Sequence, residues 1–211
     1  MKTAGQKSVP TFQIETDLDQ QGLSPVCGID EAGRGPWSGP VVAAAVILDA
    51  DNIPDGINDS KKLSPVRRNE LFNAIKQSSH VGIGIVGVPD IDRLNILQAT
   101  FLAMHKAVAN LEFAPAVALI DGTGKPALSC EMRTLIKGDQ RSLSIAAASI
   151  IAKVSRDRIM ENLALQFPHY GWERNKGYGT KAHRAGLASH GVSKHHRRSF
   201  KPIQALLDAH S

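Results

Sequence analysis

Cysteine is scarce in this sequence, with only Cys27 and Cys130 among 211 residues. Neither belongs to a CxxC pair, so no disulfide framework is predicted, and two reduced thiols are typical of a cytoplasmic protein. Long apolar runs are also lacking. No stretch approaches about eighteen uncharged apolar residues, which argues against a membrane-spanning helix. Residues 1–25 are polar and lack the apolar core of a secretory signal, so we expect no membrane or export role.

The charge is distributed unevenly along an otherwise ordinary composition. Apolar residues make up 42% and charged residues 21%, as in a soluble globular domain. The net charge is +5, but residues 172–201 hold eight basic residues against one acid, Glu173. The remainder holds 17 basic and 19 acidic residues. The basic stretch is either a solvated charged face or a surface that binds the phosphates of a nucleic acid. On the second interpretation, Arg197 and Arg198 are predicted phosphate contacts.

The length and the pattern of elements predict one α/β domain. Residues 1–24 are predicted to form a flexible leader with room for a short helix or strand, residues 25–205 the folded domain, and residues 206–211 a tail. Buried strands are predicted at 26–30, 40–48, 81–88, 116–120 and 134–137. Helices are predicted at 65–79, 91–112, 142–167 and 181–189. A tight glycine-rich link joins the first two strands, which favours a mixed β-sheet flanked by helices, with a helical basic C-terminal part.

One glycine pattern has a competing interpretation. Residues 82–87 read GIGIVG and match the GxGxxG pattern of dinucleotide-binding proteins. In those proteins the glycines form a turn after a strand and open a helix. Here they alternate with strand residues and precede Pro89, so an NAD-binding oxidoreductase is disfavoured.

Four acids stand at the ends of predicted strands, namely Asp30, Glu31, Asp121 and Asp139. A single aspartate there can simply start a turn. In open α/β sheets, however, ligands gather at the carboxyl ends of strands. Clustered carboxylates repel one another unless a cation lies among them, and hard oxygen ligands select Mg²⁺ or Mn²⁺. Beside a basic segment, such a cluster predicts a metal-dependent enzyme of phosphoryl transfer that acts on nucleic acid.

Two details limit this interpretation. Adjacent residues of a regular strand point to opposite faces, so Asp30 and Glu31 share one site only if the strand ends or bulges there. Gly33 and Gly35 follow immediately and make this feasible. For Asp157 we favour a helix ion pair over a role at the metal, with either Lys153 at the i, i+4 spacing or the nearby Arg156 as its partner.

Two motifs open the predicted domain, GIDEAGRGP at residues 28–36 and GPVVAA at 39–44. Together with further blocks, they resemble the bacterial type 2 ribonuclease H family, also called ribonuclease HII. Ser38 departs from the alanine expected before the second block. The resemblance covers roughly residues 24–205 in order, and its further blocks are NDSK at 58–61, DG at 121–122, KGD at 137–139, AASIIAKV at 147–154, RD at 156–157 and KGY at 176–178.

This resemblance implies a ribonuclease H-like fold and hydrolysis of the RNA strand of RNA–DNA hybrids. It also implies incision of DNA duplexes on the 5′ side of single embedded ribonucleotides, as in ribonucleotide excision repair, with 5′-phosphate and 3′-hydroxyl ends. Mg²⁺ or Mn²⁺ would be the cofactor. A monomer is the default expectation, and the scarcity of cysteine favours the cytoplasm. Replication or repair partners are not indicated by any motif.

The family's functional residues map onto matching positions of this sequence. Asp30, Glu31, Asp121 and Asp139 would be the catalytic and metal-binding carboxylates. Gly33, Arg34 and Gly35 would read the 2′-hydroxyl, and Tyr178 would pack on the adjacent deoxyribose. Ser60 and Lys61 would contact the substrate strand. Two alternatives stay open, a different nuclease or integrase of the same fold and a catalytically inactive nucleic-acid-binding module.

Overall fold

A five-stranded sheet organises the computed structural model, which describes residues 9–209. The strand order is β3-β2-β1-β4-β5. The first three strands pair antiparallel, and β1, β4 and β5 pair parallel. The predicted mixed sheet is therefore confirmed. Its strands are β1 Val26–Ala32, β2 Val41–Leu48, β3 Ser79–Val86, β4 Val117–Asp121 and β5 Glu131–Leu135.

Helices cover both faces of this sheet. Strand β2 is fully buried, and its alternate residues enter two different cores. Val41, Ala43 and Ala45 pack toward the helix Ile96–Ala109 on one face, whereas Ala44 and Val46 pack toward the helices Pro65–Ser78 and Leu143–Gln166 on the other. This explains why β2 reads as one continuous apolar run. The helices are α1 Gln13–Asp19, α2 Pro65–Ser78, α3 Val88–Leu94, α4 Ile96–Ala109, α5 Leu143–Gln166, α6 Trp172–Asn175, α7 Lys181–His190 and α8 Lys201–Asp208.

The glycines of the GxGxxG match lie inside β3 and serve packing. A Cβ atom at Gly82 would lie 2.0 Å from the carbonyl oxygen of Ala107, and one at Gly84 would lie 1.9 Å from that of Ala103. Only glycine allows α4 to approach the strand this closely. The dinucleotide-binding alternative has no support here, since these glycines form no turn.

The helix predicted over 91–112 is two helices. Asn95 separates α3 from α4 with a φ of 69°. Its side chain accepts hydrogen bonds from Leu97 N and Gln98 N, at 3.0 and 3.1 Å, and so caps α4. Asparagine tolerates a left-handed φ better than most residues do, which makes it a suitable break point.

The leader predicted over 1–24 is folded in its described part. Helix α1 places Glu15 in the interior, where its Oε1 accepts hydrogen bonds from the Ser142 hydroxyl at 2.6 Å and Ser144 N at 3.0 Å. These contacts fix α1 to the start of α5. The short helix for which the predicted leader left room is therefore present as α1, while residues 1–8 and 210–211 lie outside the described part.

The C-terminal part is helical, as predicted, and has its own small core. Trp172 and Tyr170 are stacked with ring centroids 4.8 Å apart, and Met160, Leu187 and Ile203 join them in the interior. Within residues 9–209, no helix combines the length and apolar character needed to cross a membrane.

Candidate active site

Three aspartates converge at the carboxyl ends of the parallel strands. Strands β1 and β4 pair with Ile29 opposite Ile120, so Asp30 and Asp121 follow at the same edge. Strand β5 lies beside β4 and leads into a 3₁₀ turn over Gly138–Gln140, which carries Asp139. One carboxylate oxygen from each aspartate lies within 4.8 Å of the others. The sheet topology thus brings three distant sequence positions together.

Hydrogen bonds orient these carboxylates. Asp121 Oδ1 accepts from Gly138 N at 2.7 Å, which joins the end of β4 to the turn that holds Asp139. Asp30 Oδ1 accepts from Glu31 N at 2.7 Å. Asp30 and Asp139 are 6% and 5% exposed, so little water screens their charges.

Glu31 lies beside this cluster and is not one of its three members. Strand β1 continues to Ala32, so the chain does not end its extended course between Asp30 and Glu31. Glu31 Oε1 lies 3.2 Å from Arg34 Nη1. Asp30 and Glu31 nevertheless line the same cleft of about 330 Å³, which is also lined by Gly33, Gly35 and Tyr178.

Burial and mutual repulsion disfavour the ionised acids. The pKa of Asp30 is raised well above its usual value by burial first, then by the charges of Glu31 and Asp121. Burial also raises the pKa of Glu31, although Arg34 counteracts it. The pKa of Asp139 rises to about 6 because of burial and repulsion from Asp59 and Asp121. A divalent cation among these oxygens would relieve that repulsion, and an all-oxygen set suits Mg²⁺ or Mn²⁺.

The segment at residues 33–40, hereafter the glycine-rich loop, forms one wall of the cleft. Tyr178 faces it from the turn before α7, and a Cβ atom at Gly35 would lie 3.4 Å from Tyr178 Cε1. Tyr178 is 51% exposed, which leaves its ring available to a ligand. Trp37 N donates a 2.8 Å hydrogen bond to the carbonyl of Gly177 and joins the two segments.

Comparisons with known proteins identify the family of this chain. A family model described as "Ribonuclease HII" matches residues 27–203. The chain belongs to the ribonuclease HII family. It is 55% identical over 199 residues to a ribonuclease HII of Ruegeria pomeroyi, a match that covers 94% of this chain and 85% of that protein.

Two solved structures share the fold of this ribonuclease HII family member. The ribonuclease H2 of Pyrococcus horikoshii superposes with a TM-score of 0.75 at 26% identity, covering 87% of this chain and 97% of that one. The ribonuclease HII of Archaeoglobus fulgidus, solved in complex with PCNA, gives a TM-score of 0.71 at 30% identity and covers 83% and 95%. The predicted ribonuclease H-like fold is thereby confirmed.

The prediction that Arg197 contacts phosphate is wrong. Its side chain is fully buried, and its guanidinium donates to the backbone carbonyls of Gly33, Arg34, Gly39 and Pro40 at 2.6–3.1 Å. The buried guanidinium presents no donor to a ligand on the surface. Burial, followed by repulsion from Arg156, lowers the pKa of Arg197 to about 9. Arg197 therefore supports the glycine-rich loop from inside this ribonuclease HII family member, whereas Arg198 is exposed.

A second arginine, Arg156, is buried in a role that the sequence analysis did not predict. Arg156 donates to the carbonyls of Pro40 at 2.9 Å, Ser38 at 3.1 Å and Lys176 at 2.9 Å. It thus joins the glycine-rich loop to the segment that carries Tyr178. A usable signal was its position in α5, four residues from the buried Ala152 and Met160, which places it on the inward helix face.

The remaining predicted contacts lie at the cleft. Ser60 and Lys61 line it, although Ser60 is itself 5% exposed. Lys61 Nζ is 3.9 Å from Asp139 Oδ2. Burial alone would lower the pKa of Lys61, but the surrounding aspartates outweigh it and raise that pKa. The predicted ion pair between Lys153 and Asp157 is confirmed at 2.7 Å.

Replacing Asp139 by asparagine should stabilise the metal-free protein at pH 7.5. Because the folded-state pKa is about 6, above the usual value near 3.9, the folded state binds this proton more tightly. Stability from this group is present at low pH and is lost as the pH rises through about 6. We expect Asp139→Asn to gain about 1 kcal/mol after allowance for solvent screening.

Thermal unfolding with and without Mg²⁺ tests this expectation. The gain should disappear near pH 4, where both side chains are neutral. Added Mg²⁺ should raise the unfolding temperature of the wild type more than that of Asp139→Asn. Equal shifts in the two proteins would contradict a metal site at this aspartate.

Proposed function

We propose that this protein is a divalent-metal-dependent endonuclease for RNA within DNA duplexes. It hydrolyses the RNA strand of RNA–DNA hybrids and incises DNA on the 5′ side of single embedded ribonucleotides, giving 5′-phosphate and 3′-hydroxyl ends. The observation that carries this proposal is the convergence of Asp30, Asp121 and Asp139 within 4.8 Å. Asp30 also lines the cleft that contains Gly33, Gly35 and Tyr178.

The carboxylates supply the binding site for the cofactor, Mg²⁺ or Mn²⁺. Asp30, Asp121 and Asp139 would hold the cation, with Glu31 beside them. When bound, a divalent ion polarises the phosphate, lowers the pKa of the attacking water and stabilises the leaving oxygen. The chain's own contribution is orientation. The bond from Gly138 N fixes Asp121, and the turn fixes Asp139 beside it.

We assign ribose recognition to the wall of the cleft that the glycine-rich loop and Tyr178 form. A 2′-hydroxyl both donates and accepts hydrogen bonds, and it is the only local difference between RNA and DNA sugars. Gly33 and Gly35 let the backbone approach a sugar closely, and the Arg34 side chain is 51% exposed between them. Tyr178 offers a half-exposed ring next to Gly35 on which a deoxyribose can pack.

The basic C-terminal part extends this site along the duplex. Six of its eight basic residues are exposed, namely Arg174, Lys181, Arg184, Lys194, Arg198 and Lys201. Exposed cations are suited to contact phosphates and to give salt-dependent, sequence-independent binding. We also propose that the enzyme acts as a monomer. A DNA substrate implies the cytoplasm as its location. The PCNA complex of the Archaeoglobus fulgidus relative suggests a replication protein as a partner class.

One cleavage assay tests the proposal. A DNA duplex with a single ribonucleotide should be cut on the 5′ side of that residue when Mg²⁺ or Mn²⁺ is present, and should stay intact with a chelator. An all-DNA duplex of the same sequence is the control. Binding without cutting under all metal conditions would favour an inactive binding module. Cutting of the all-DNA duplex would favour another nuclease of the same fold.

Tyr178→Ala should lower activity on a single embedded ribonucleotide much more than on a long hybrid. A ring packed on deoxyribose recognises the RNA-to-DNA junction, and a long RNA strand presents a 2′-hydroxyl on the following nucleotide as well. Loss of such stacking corresponds to a decrease of about 10–100-fold on the junction substrate. Values of kcat/KM on both duplexes provide the measurement.

Phe113→Ala is the matched control for this truncation. Phe113 is 40% exposed and precedes β4, at the end of the sheet opposite the aspartates. Its loss should leave both activities unchanged. Equal decreases on both substrates in Tyr178→Ala, with circular dichroism unaltered, would argue against junction recognition by Tyr178.

A further inference from the structure

Two histidines of the basic stretch lie side by side in the interior. His183 on α7 is fully buried and His196 is 1% exposed, and their Nε2 atoms are 3.0 Å apart. A cluster of aromatic rings surrounds them, with Trp172 Nε1 3.2 Å from His183 Nε2. Neither ring faces the solvent, so these histidines are not part of the phosphate-binding surface.

The partners of each ring nitrogen fix its protonation. His183 Nδ1 lies 3.0 Å from the carbonyl oxygen of Tyr178, so it must be the protonated donor. His183 Nε2 is then the acceptor, and it receives the N–H of Trp172 and that of His196 Nε2. His196 Nδ1 is left as an acceptor, and Ser193 N donates to it at 3.0 Å. All four ring nitrogens are satisfied with both rings neutral, which leaves none for a metal ion.

The pair connects the two parts of the proposed ribose-binding wall. On one side, His183 holds the backbone of Tyr178 itself. On the other side, His196 belongs to a segment bonded to the glycine-rich loop. Gly39 N donates to His195 O at 2.9 Å, and Arg197 N donates to Trp37 O at 2.8 Å.

We propose that His183 is a positioning residue for ribonucleotide selectivity. Its Nδ1–H sets the place of Tyr178, and its contact with His196 fixes that place relative to the glycine-rich loop. This inference rests on the proposed function. It goes beyond that function because His183 is buried and reaches the substrate only through Tyr178. The expected consequence concerns the preference between substrates and not the chemical step.

Two substitutions separate the roles of the two ring nitrogens of His183. The amide nitrogen of asparagine lies as many bonds from Cβ as His Nδ1 does, so His183→Asn can keep the donor to the Tyr178 carbonyl. The terminal amide of glutamine lies where His Nε2 does, so His183→Gln can accept from Trp172 and His196 and loses that donor. His190→Asn, at the exposed end of the same helix, is the control.

The readout is the ratio of kcat/KM on a single-ribonucleotide duplex to kcat/KM on a long RNA–DNA hybrid, measured together with the unfolding temperature. We expect His183→Gln to lower this ratio about tenfold, the effect of about one lost hydrogen bond. His183→Asn should keep the wild-type ratio although it leaves two buried N–H groups unpaired and is the less stable variant. His190→Asn should match the wild type in both measurements.

The outcomes distinguish this inference from the proposed function. If the wild type cuts neither duplex, the proposed function fails. If the wild type cuts both duplexes, two results would overturn the positioning role. One is a ratio that falls in proportion to the stability of the two His183 variants, and the other is a ratio that does not fall in His183→Gln. A lower ratio in the more stable glutamine variant, with the asparagine variant normal, supports it.

Discussion

An Asp121→Asn enzyme should fold normally and turn over at least about 10³-fold more slowly than the wild type, which corresponds to about 4 kcal/mol of transition-state stabilisation. The substitution exchanges one negative oxygen for a neutral amide in the three-aspartate cluster. That weakens the hold on a cation whose charge stabilises the transition state. The amide oxygen of the introduced asparagine can still accept the bond from Gly138 N, so the turn carrying Asp139 should be preserved.

Single-turnover cleavage across a range of Mg²⁺ concentrations measures this effect. Asp51→Asn, in the exposed loop after β2, removes the same charge away from the site and should be fully active. Circular dichroism and the unfolding temperature should show that Asp121→Asn is folded, with a metal-free stability at least equal to that of the wild type. Near-normal activity of Asp121→Asn at saturating Mg²⁺ would falsify the assignment of this cluster as the metal site.

The aspartate cluster was predictable because strand ends and sheet topology determine it. Asp121 comes directly after the strand predicted at 116–120, and Asp30 is the last residue of the strand predicted at 26–30. Once the strands are parallel neighbours, both aspartates must lie at one edge. The relation of Glu31 to that cluster was not predictable from the pattern, because it depends on how far β1 continues.

The roles of the buried cations could not be predicted by counting charges. A basic stretch indicates a surface, and six of its eight cations are indeed exposed. Arg197 differs from its neighbour Arg198 only in the direction of its side chain, which the glycine-rich loop determines from more than 150 residues away in the sequence. A guanidinium has five donors and can satisfy several backbone carbonyls at once, so it can be buried without a carboxylate partner.

The same limitation applies to the histidines. In the sequence, His183 and His196 are part of a basic, histidine-containing stretch. In the structure both rings are buried with their Nε2 atoms adjacent, because Trp172 and Tyr170 pack around them. Tertiary packing alone decides whether such a ring faces solvent or protein, and the local spacing of the histidines carries no information about it.

Gly33→Val should abolish cleavage of both substrates, with a loss of at least about 10²-fold on each and a destabilisation of about 3–5 kcal/mol. Gly33 has a φ of 99°, a conformation that valine adopts only with strain. A Cβ atom there would also lie 2.0 Å from Arg156 Nε and 2.8 Å from the carbonyl oxygen of Pro40. That carbonyl accepts bonds from Arg156 and Arg197, so the clash falls where both buried guanidinium groups are held.

The expected loss in Gly33→Val is large because the buried Arg156 cannot move aside without losing hydrogen bonds. Arg156 is 2% exposed and donates to three carbonyls, and any shift that clears the new side chain leaves part of a buried charge without a partner. Because Arg156 also holds Lys176, the displacement should reach Tyr178. Both parts of the ribose-binding wall, the glycine-rich loop and Tyr178, are therefore affected. The loss should not distinguish the substrates, in contrast to Tyr178→Ala.

Gly22→Val separates this clash from backbone strain alone. Gly22 has a similar φ of 73°, yet a Cβ atom there would meet no atom within 4 Å. Its valine variant carries the strain without displacing an arginine, so it should lose about 1–2 kcal/mol of stability and retain cleavage of both duplexes. Assays below the unfolding temperature of both variants compare folded enzymes. If Gly33→Val resembles Gly22→Val in activity, the two buried arginines do not control the shape of the glycine-rich loop. If only Gly33→Val is inactive while still folded, support of the loop by Arg156 and Arg197 is what the substrate-binding wall requires.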